Sequence, residues 1–240
     1  MKTTRIIAAL LHAITLILFF SVAARAYDVV TVVGGGKIEG RVTYQGPVPI
    51  RKIIPNKDVE VCGGPRDEPE VAVGADKGVQ DAVVFLKEVA KGKAWGKADK
   101  TPVLDNKHCD FEPKLQVIRP GTVDVHNSDP VLHNTHAYYG RRTAFNMALP
   151  NKGVQIAGDL PRAGLVRVDC DAHGWMLAHI YVADSPYYVL TGKDGSFSIT
   201  DILPGQYTLV ASQWYLGDQE MTVTVKGGET VKLPIELKKK

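Results

Sequence analysis

Between Tyr27 and Lys240 the apolar residues recur at every second position over short runs, and Gly, Pro, Asn and Asp interrupt those runs at close intervals. A period of two belongs to a strand with one buried face, and no stretch of this region sustains the 3.6 period of a helix. Ile38 to Tyr44, Val79 to Val89, Val103 to Phe111, Lys114 to Ile118, Thr122 to His126 and Gly164 to Cys170 read as strands, as do further runs beyond Asp184-Ser185-Pro186. Such a pattern predicts an all-β chain built of sandwiches or barrels. Residues 48 to 78 and Lys91 to Lys100, rich in Gly, Pro and charge, are expected to be loop and linker, and Asp194-Gly195 predicts a hairpin turn.

One connection stands out chemically. Residues 166 to 182 place Cys170-x-x-His173-x-x-Met176 between two alternating runs, so a thiol, an imidazole and a thioether share one short turn. These are soft and borderline donors that suit copper, and a Cys with two His in one plane plus a weak axial Met is a blue-copper set. The second imidazole must come from elsewhere, and Asn127-Ser-Asp-Pro-Val-Leu-His133-Asn134-Thr-His136 offers it. On a strand His133 and His136 lie three positions apart and face opposite sides, as do Met176 and His179. A rival set of His133, His136, His173 and His179 would suit zinc or type 2 copper. Cys170 alone or Met176 alone reads as core; the combination points to a metal. Trp175 is either a partner-docking aromatic or a cover over the loop, and His108 and His126 read as ordinary polar residues.

Residues 1 to 26 begin with Lys2 and Arg5, continue as an apolar stretch from Ile6 to Val22, and end on Ala24-Arg25-Ala26, the small-x-small form of a signal-peptidase site. Export to the periplasm or beyond, with cleavage after Ala26, is the expectation; an uncleaved membrane anchor is the alternative. Of the 29 Lys and Arg, Lys2, Arg5 and Arg25 lie in this segment, which leaves 26 against the 26 Asp and Glu of the whole chain. A balanced charge gives no nucleic-acid footprint, and no stable membrane insertion is expected after cleavage. With Cys170 on a metal, Cys62 and Cys109 are the remaining pair, and an oxidising compartment permits their disulfide. No Gly-x-Ser-x-Gly elbow or His-Glu-x-x-His helix occurs, and a four-donor site leaves no open position for substrate, so the chain reads as a non-enzyme.

The segment from Phe111 to Val182 resembles the cupredoxins, and within them the amicyanin and plastocyanin branch. The resemblance rests on Asn127 six residues before His133, on His133-Asn134-Thr-His136 and on the short Cys170-x-x-His173-x-x-Met176 spacing. It implies a Greek-key β-sandwich of eight strands and one type 1 copper held by His133, Cys170, His173 and Met176, passing electrons between a protein donor and acceptor. It also implies that the Asn134 N–H bonds the Cys170 sulfur. One departure is Gly174, where the amicyanin loop has proline. A second resemblance, through Thr191-Gly-Lys-Asp-Gly-Ser-Phe-Ser-Ile-Thr-Asp-Ile-Leu-Pro-Gly-Gln-Tyr-Thr-Leu209, is to carboxypeptidase-regulatory-like, transthyretin-like modules. The strands that should open such a module lie upstream, at Gly40 to Tyr44 and Ala82 to Leu86. The expected organisation is therefore a signal peptide at 1–26, first strands of the transthyretin-like β-sandwich at 27–99, a cupredoxin domain at 100–184, inserted there, and the rest of the first sandwich at 185–240. Two sandwiches in tandem are the alternative. Copper carriage without redox duty, or an envelope-binding module gripping polysaccharide or protein, are the rival functions.

Overall fold

The computed structural model describes residues 27–97 and 100–239; the expected signal segment lies outside the described residues. No helix among the described residues is long and apolar enough to cross a membrane. The chain opens with β1 (Asp28–Val29), β2 (Gly36–Thr43), β3 (Ile50–Ile53), the short helix α1 (Val59–Cys62), β4 (Arg66–Pro69), β5 (Val83–Lys87) and β6 (Lys91–Gly92). There follow β7 (Val103–Lys107), β8 (Asp110–Glu112), β9 (Leu115–Ile118), β10 (Gly121–Asn127), β11 (His133–Tyr139), β12 (Arg142–Leu149), β13 (Gln155–Leu160), β14 (Gly164–Cys170) and β15 (Leu177–Val182). The last five are β16 (Tyr188–Leu190), β17 (Ser196–Ile202), β18 (Gly205–Gln213), β19 (Gly217–Val225) and β20 (Thr230–Glu236). The all-β expectation holds.

Sixteen of the twenty strands form two β-sandwiches, each around its own core, while β1 with β6 and β3 with β4 make separate two-stranded pairs. In the first, a sheet ordered β13-β10-β7-β8 faces one ordered β12-β11-β14-β15-β9, with Leu104, Phe111, Val125, Leu149, Val168 and Ile180 among the side chains buried between them. In the second, β16-β5-β18-β19 faces β17-β2-β20 over Ile38, Val42, Leu86, Leu209, Val225 and Ile235. Its strands come from both ends of the described chain: β2 pairs with β17 and β20, and β5 with β16 and β18. Pro234 sits on the edge strand β20, where a missing N–H disrupts no interior ladder. The two sandwiches meet through Phe85 against Tyr181, with ring centroids 4.7 Å apart, and His179 stacked on Trp214 at 5.2 Å.

Alternation delivers the chemistry to the inside. In β14, Val166, Val168 and Cys170 are buried while Leu165 and Arg167 are exposed; in β11, His133, Thr135 and Ala137 are buried. Each buried valine contributes roughly 2 kcal/mol. A one-residue slip of β14 would forfeit that burial and turn Cys170 outward, so the hydrophobic pattern also fixes the thiol.

Three local expectations are corrected. Val103 to Phe111 is not one strand: it breaks at His108 and Cys109, whose φ values of 55° and 50° make a tight two-residue turn between β7 and β8. This break gives the first sandwich nine strands rather than the eight implied by the resemblance. Residues 48 to 78 are not wholly loop, because β3 and β4 pair antiparallel and α1 lies in their connection. Asp194-Gly195 does form a turn, with Gly195 at φ 80° and its Cα so near Val42 O that a Cβ would sit 2.2 Å from it. It carries the chain from β16 to β17, which belong to different sheets, and so makes a corner rather than a hairpin. Cys62 and Cys109 are joined in a disulfide that ties α1 to the β7–β8 turn.

Candidate metal centre

The turn from Cys170 to Met176 is closed by its own backbone: the His173 N–H donates to Cys170 O (3.3 Å) and the Met176 N–H to His173 O (3.0 Å). At the end of β10, in the facing sheet, Asn127 shapes the approach to His133, because its Nδ2 donates to Val131 O and Leu149 O, both at 2.9 Å. The two segments are locked together where the Asp171 N–H donates to Asn134 O (3.0 Å) and the Asn134 N–H to Cys170 Sγ (3.4 Å).

These constraints bring His133, Cys170 and His173 into one buried cluster. Cys170 Sγ lies 3.7 Å from His133 Nδ1 and 3.8 Å from His173 Nδ1, and the two Nδ1 atoms are 3.1 Å apart. Bonds of about 2.0 Å to nitrogen and about 2.3 Å to sulfur let one ion reach donors up to about 4.0 Å (N to N) and about 4.3 Å (N to S) apart, and all three separations lie within those limits. The cluster therefore fits one metal ion. Met176 is buried in the same core as Cys170. Burial pushes the Cys170 thiol above its ordinary pKa, against the Asn134 N–H. Burial also pushes the His133 imidazole down, outweighing its neighbouring carboxylate.

Each imidazole has a carboxylate behind it. His133 Nε2 lies 3.0 Å from Asp129 Oδ2, and His173 Nε2 lies 2.9 Å from Asp58 Oδ2. A carboxylate only accepts, so each Nε2 carries the proton and each Nδ1 presents its lone pair to the cluster. Asp129 also accepts the N–H groups of His108 and Cys109, both at 2.8 Å. The same turn takes the Trp175 indole N–H on Cys109 O (3.2 Å), with the Trp175 ring 5.1 Å from that of His173. Trp175 thus packs over the loop. Two further donor groupings include Cys62 or Cys109, but a disulfide sulfur is not a thiolate and they hold no metal.

Structural comparison finds weak similarity to proteins of the cupredoxin fold, over 34% to 42% of this chain. A novel purple cupredoxin from Nitrosopumilus maritimus is 22% identical, with 34% of this chain and 99% of that one covered at a TM-score of 0.31. Amicyanin from Paracoccus versutus is 19% identical, covering 36% and 85% at 0.32. The Cu-containing nitrite reductase from Thermus scotoductus SA-01 is also 19% identical, covering 39% of this chain and 25% of the enzyme at 0.31. The family model for the BOS complex subunit NOMO1-like, second beta sandwich domain, matches residues 183–237. A comparison with curated protein sequences finds no match.

His136 and His179 lie apart from the cluster. His136 is on the outward face of β11, where its Nδ1 contacts Asp171 Oδ2 (3.0 Å) and Tyr138 OH (2.6 Å) and its Nε2 contacts Thr143 Oγ1 (3.0 Å). His179 is buried where the sandwiches meet; burial first, then Arg167 and Arg51, push its pKa from 6.5 down to about 4. The folded protein thus resists protonating His179, so its contribution is complete above pH 6.5 and is lost as pH falls toward 4. That loss amounts to about 3 kcal/mol by pH 4. We expect His179→Phe to flatten the acid limb of stability in urea-unfolding midpoints measured between pH 7 and 4; an unchanged slope would refute the assignment.

Sequence reasoning missed both carboxylates. Asp129 stood within the quoted Asn127-to-His136 segment, and its neighbour Asn127, whose Oδ1 accepts the Asp129 N–H at 2.9 Å, was the signal that this loop folds on itself. Asp58 is 115 residues from His173, and no local pattern announces it.

Proposed function

We propose that this chain is an exported type 1 copper protein that carries single electrons between a protein donor and a protein acceptor. The observation that carries the reading is the convergence of one thiol and two imidazole Nδ1 atoms at 3.1 to 3.8 Å inside a closed β-sandwich, with a backbone N–H on the sulfur. His133, Cys170 and His173, with buried Met176, would hold the copper, a donor set of one thiolate, two imidazoles and a thioether. Copper in such a set supplies a one-electron couple. The chain's part is to hold the donors still: β11 and β14 fix His133 and Cys170, the Cys170-to-Met176 turn fixes His173, and the Asn134 N–H stabilises negative charge on the sulfur. Donors held this way move little between oxidation states, which favours outer-sphere transfer. On this reading residues 100–184 form the cupredoxin domain, inserted between the 27–99 and 185–240 parts of the other sandwich. The location is periplasmic or otherwise outside the cytoplasm, and no substrate is turned over.

The test is the optical and paramagnetic-resonance spectrum of the protein loaded with Cu(II). Intense visible colour is expected, lost in Cys170→Ser while circular dichroism and thermal unfolding show that the fold survives. A colourless Cu(II) complex of the native chain would defeat the type 1 assignment.

A further inference from the structure

A histidine at the tip of the turn between β14 and β15 has every reason to be exposed, yet His173 is fully buried. Besides Trp175, part of its cover comes from outside the first sandwich's own strands, from the connection between β3 and β4, whose Asp58 contacts its Nε2. We propose that Asp58, reaching across from that connection, is a positioning residue that sets the His173 tautomer, closes its outer edge and adds fixed negative charge beside the centre. The inference rests on the copper reading only for the identity of the ion.

Three observations carry it. Asp58 adopts a left-handed conformation, φ 50° and ψ 37°, at the start of α1, an uncommon backbone state that Asp enters more readily than most residues. At that position its carboxylate would ordinarily cap the helix, but it makes no capping hydrogen bond and contacts His173 Nε2 at 2.9 Å instead. The segment is also pinned on both sides: Arg51 Nη1 donates to Trp175 O (3.0 Å), and the Cys62–Cys109 disulfide follows four residues after Asp58. Asp129 plays the matching part for His133, so the two imidazoles are buttressed by carboxylates from different parts of the chain. Negative charge beside the ligands stabilises the more positive oxidation state, so Cu(II) is favoured over Cu(I).

The full mature chain with its disulfide intact is compared with Asp58→Asn and Asp58→Ala. In the metal-free proteins the alkylation rate of Cys170 by iodoacetamide should rise at least about tenfold in Asp58→Ala, from loss of one hydrogen bond to a charged group. It should stay within about twofold in Asp58→Asn, whose amide oxygen still accepts from Nε2–H. In the copper-loaded proteins both variants should bind Cu(II) relative to Cu(I) about tenfold less well, which is about 59 mV upward in potential. Nitrogen NMR of the metal-free native chain should show the His173 proton on Nε2, and a proton on Nδ1 would overturn the proposal even if Asp58→Ala does not fold. Unchanged alkylation in Asp58→Ala, or potentials equal to the native value in both variants, would overturn it too. A native chain that binds no copper would defeat the copper reading alone, because alkylation and tautomer still decide the role of Asp58.

Discussion

Replacing Asp129 with alanine is expected to destabilise the protein by about 4 kcal/mol, since each buried donor left without a partner costs about 1 to 3 kcal/mol. The carboxylate is almost fully buried and accepts from three donors: the N–H groups of His108 and Cys109 and the His133 ring. Burial alone would raise its pKa, but the two backbone N–H groups and His133 hold it below the usual carboxylate range, so it is ionised at neutral pH. Alanine removes the acceptor and leaves all three donors facing a site with no replacement. It also removes what holds His108 and Cys109 in their left-handed turn. Asp129→Asn should fall between the two, because its one amide oxygen cannot serve three donors. Denaturant unfolding at neutral pH reads the effect directly; a loss below about 1 kcal/mol would show that the turn, and not the carboxylate, organises this corner.

The second large effect is expected from the double replacement Cys62→Ser, Cys109→Ser. The disulfide closes a span of 47 residues. On the chain-entropy account, opening a loop of that size relaxes the unfolded state by about 4 kcal/mol. The folded-state consequence is local, since the bond ties α1, and with it Asp58, to the turn that Asp129 and Trp175 grip. The unfolding midpoint should drop, and the denaturant slope should rise because the unfolded chain is less compact. Equal stability of the double variant and the native chain would mean that the two cysteines are not bonded in solution.

Much of the candidate site is legible in the sequence because its residues are close in sequence and lie on strands with a strict period. Cys170, His173 and Met176 share one turn, and the burial of Val166 and Val168 puts Cys170 inside without reference to anything else. His133 could be preferred over His136 because a separation of three reverses the face of a strand, and β11 does bury the first and leave the second on the outer side. What escaped notice depends on long-range contact. His108 and Cys109 are poor turn formers, and only a carboxylate 20 or so residues downstream and a disulfide make the β7–β8 turn hold. The β3–β4 pair was hidden because each strand is four residues long, too short for alternation to show. Asp58 has no periodic, spacing or compositional signal at all, since its role exists only once two distant segments meet.

The pairing of β2 with β17 and β20 has a kinetic side. In that ladder Arg41 lies opposite Ser196, 155 positions further along the chain, so the strand leaves the ribosome long before either partner is made. Strands β7 to β15, by contrast, find all their partners among themselves and can close early. Once they have, Lys93 and Tyr187 stand side by side, with the Lys93 N–H donating to Tyr187 OH at 2.9 Å. The chain between them no longer counts as loop, which lowers the entropic cost of bringing β2 to β17 by about 1 kcal/mol. Folding from the middle outward is therefore the favoured order, and the sandwich that carries the thiol and imidazoles is the template on which the outer one closes.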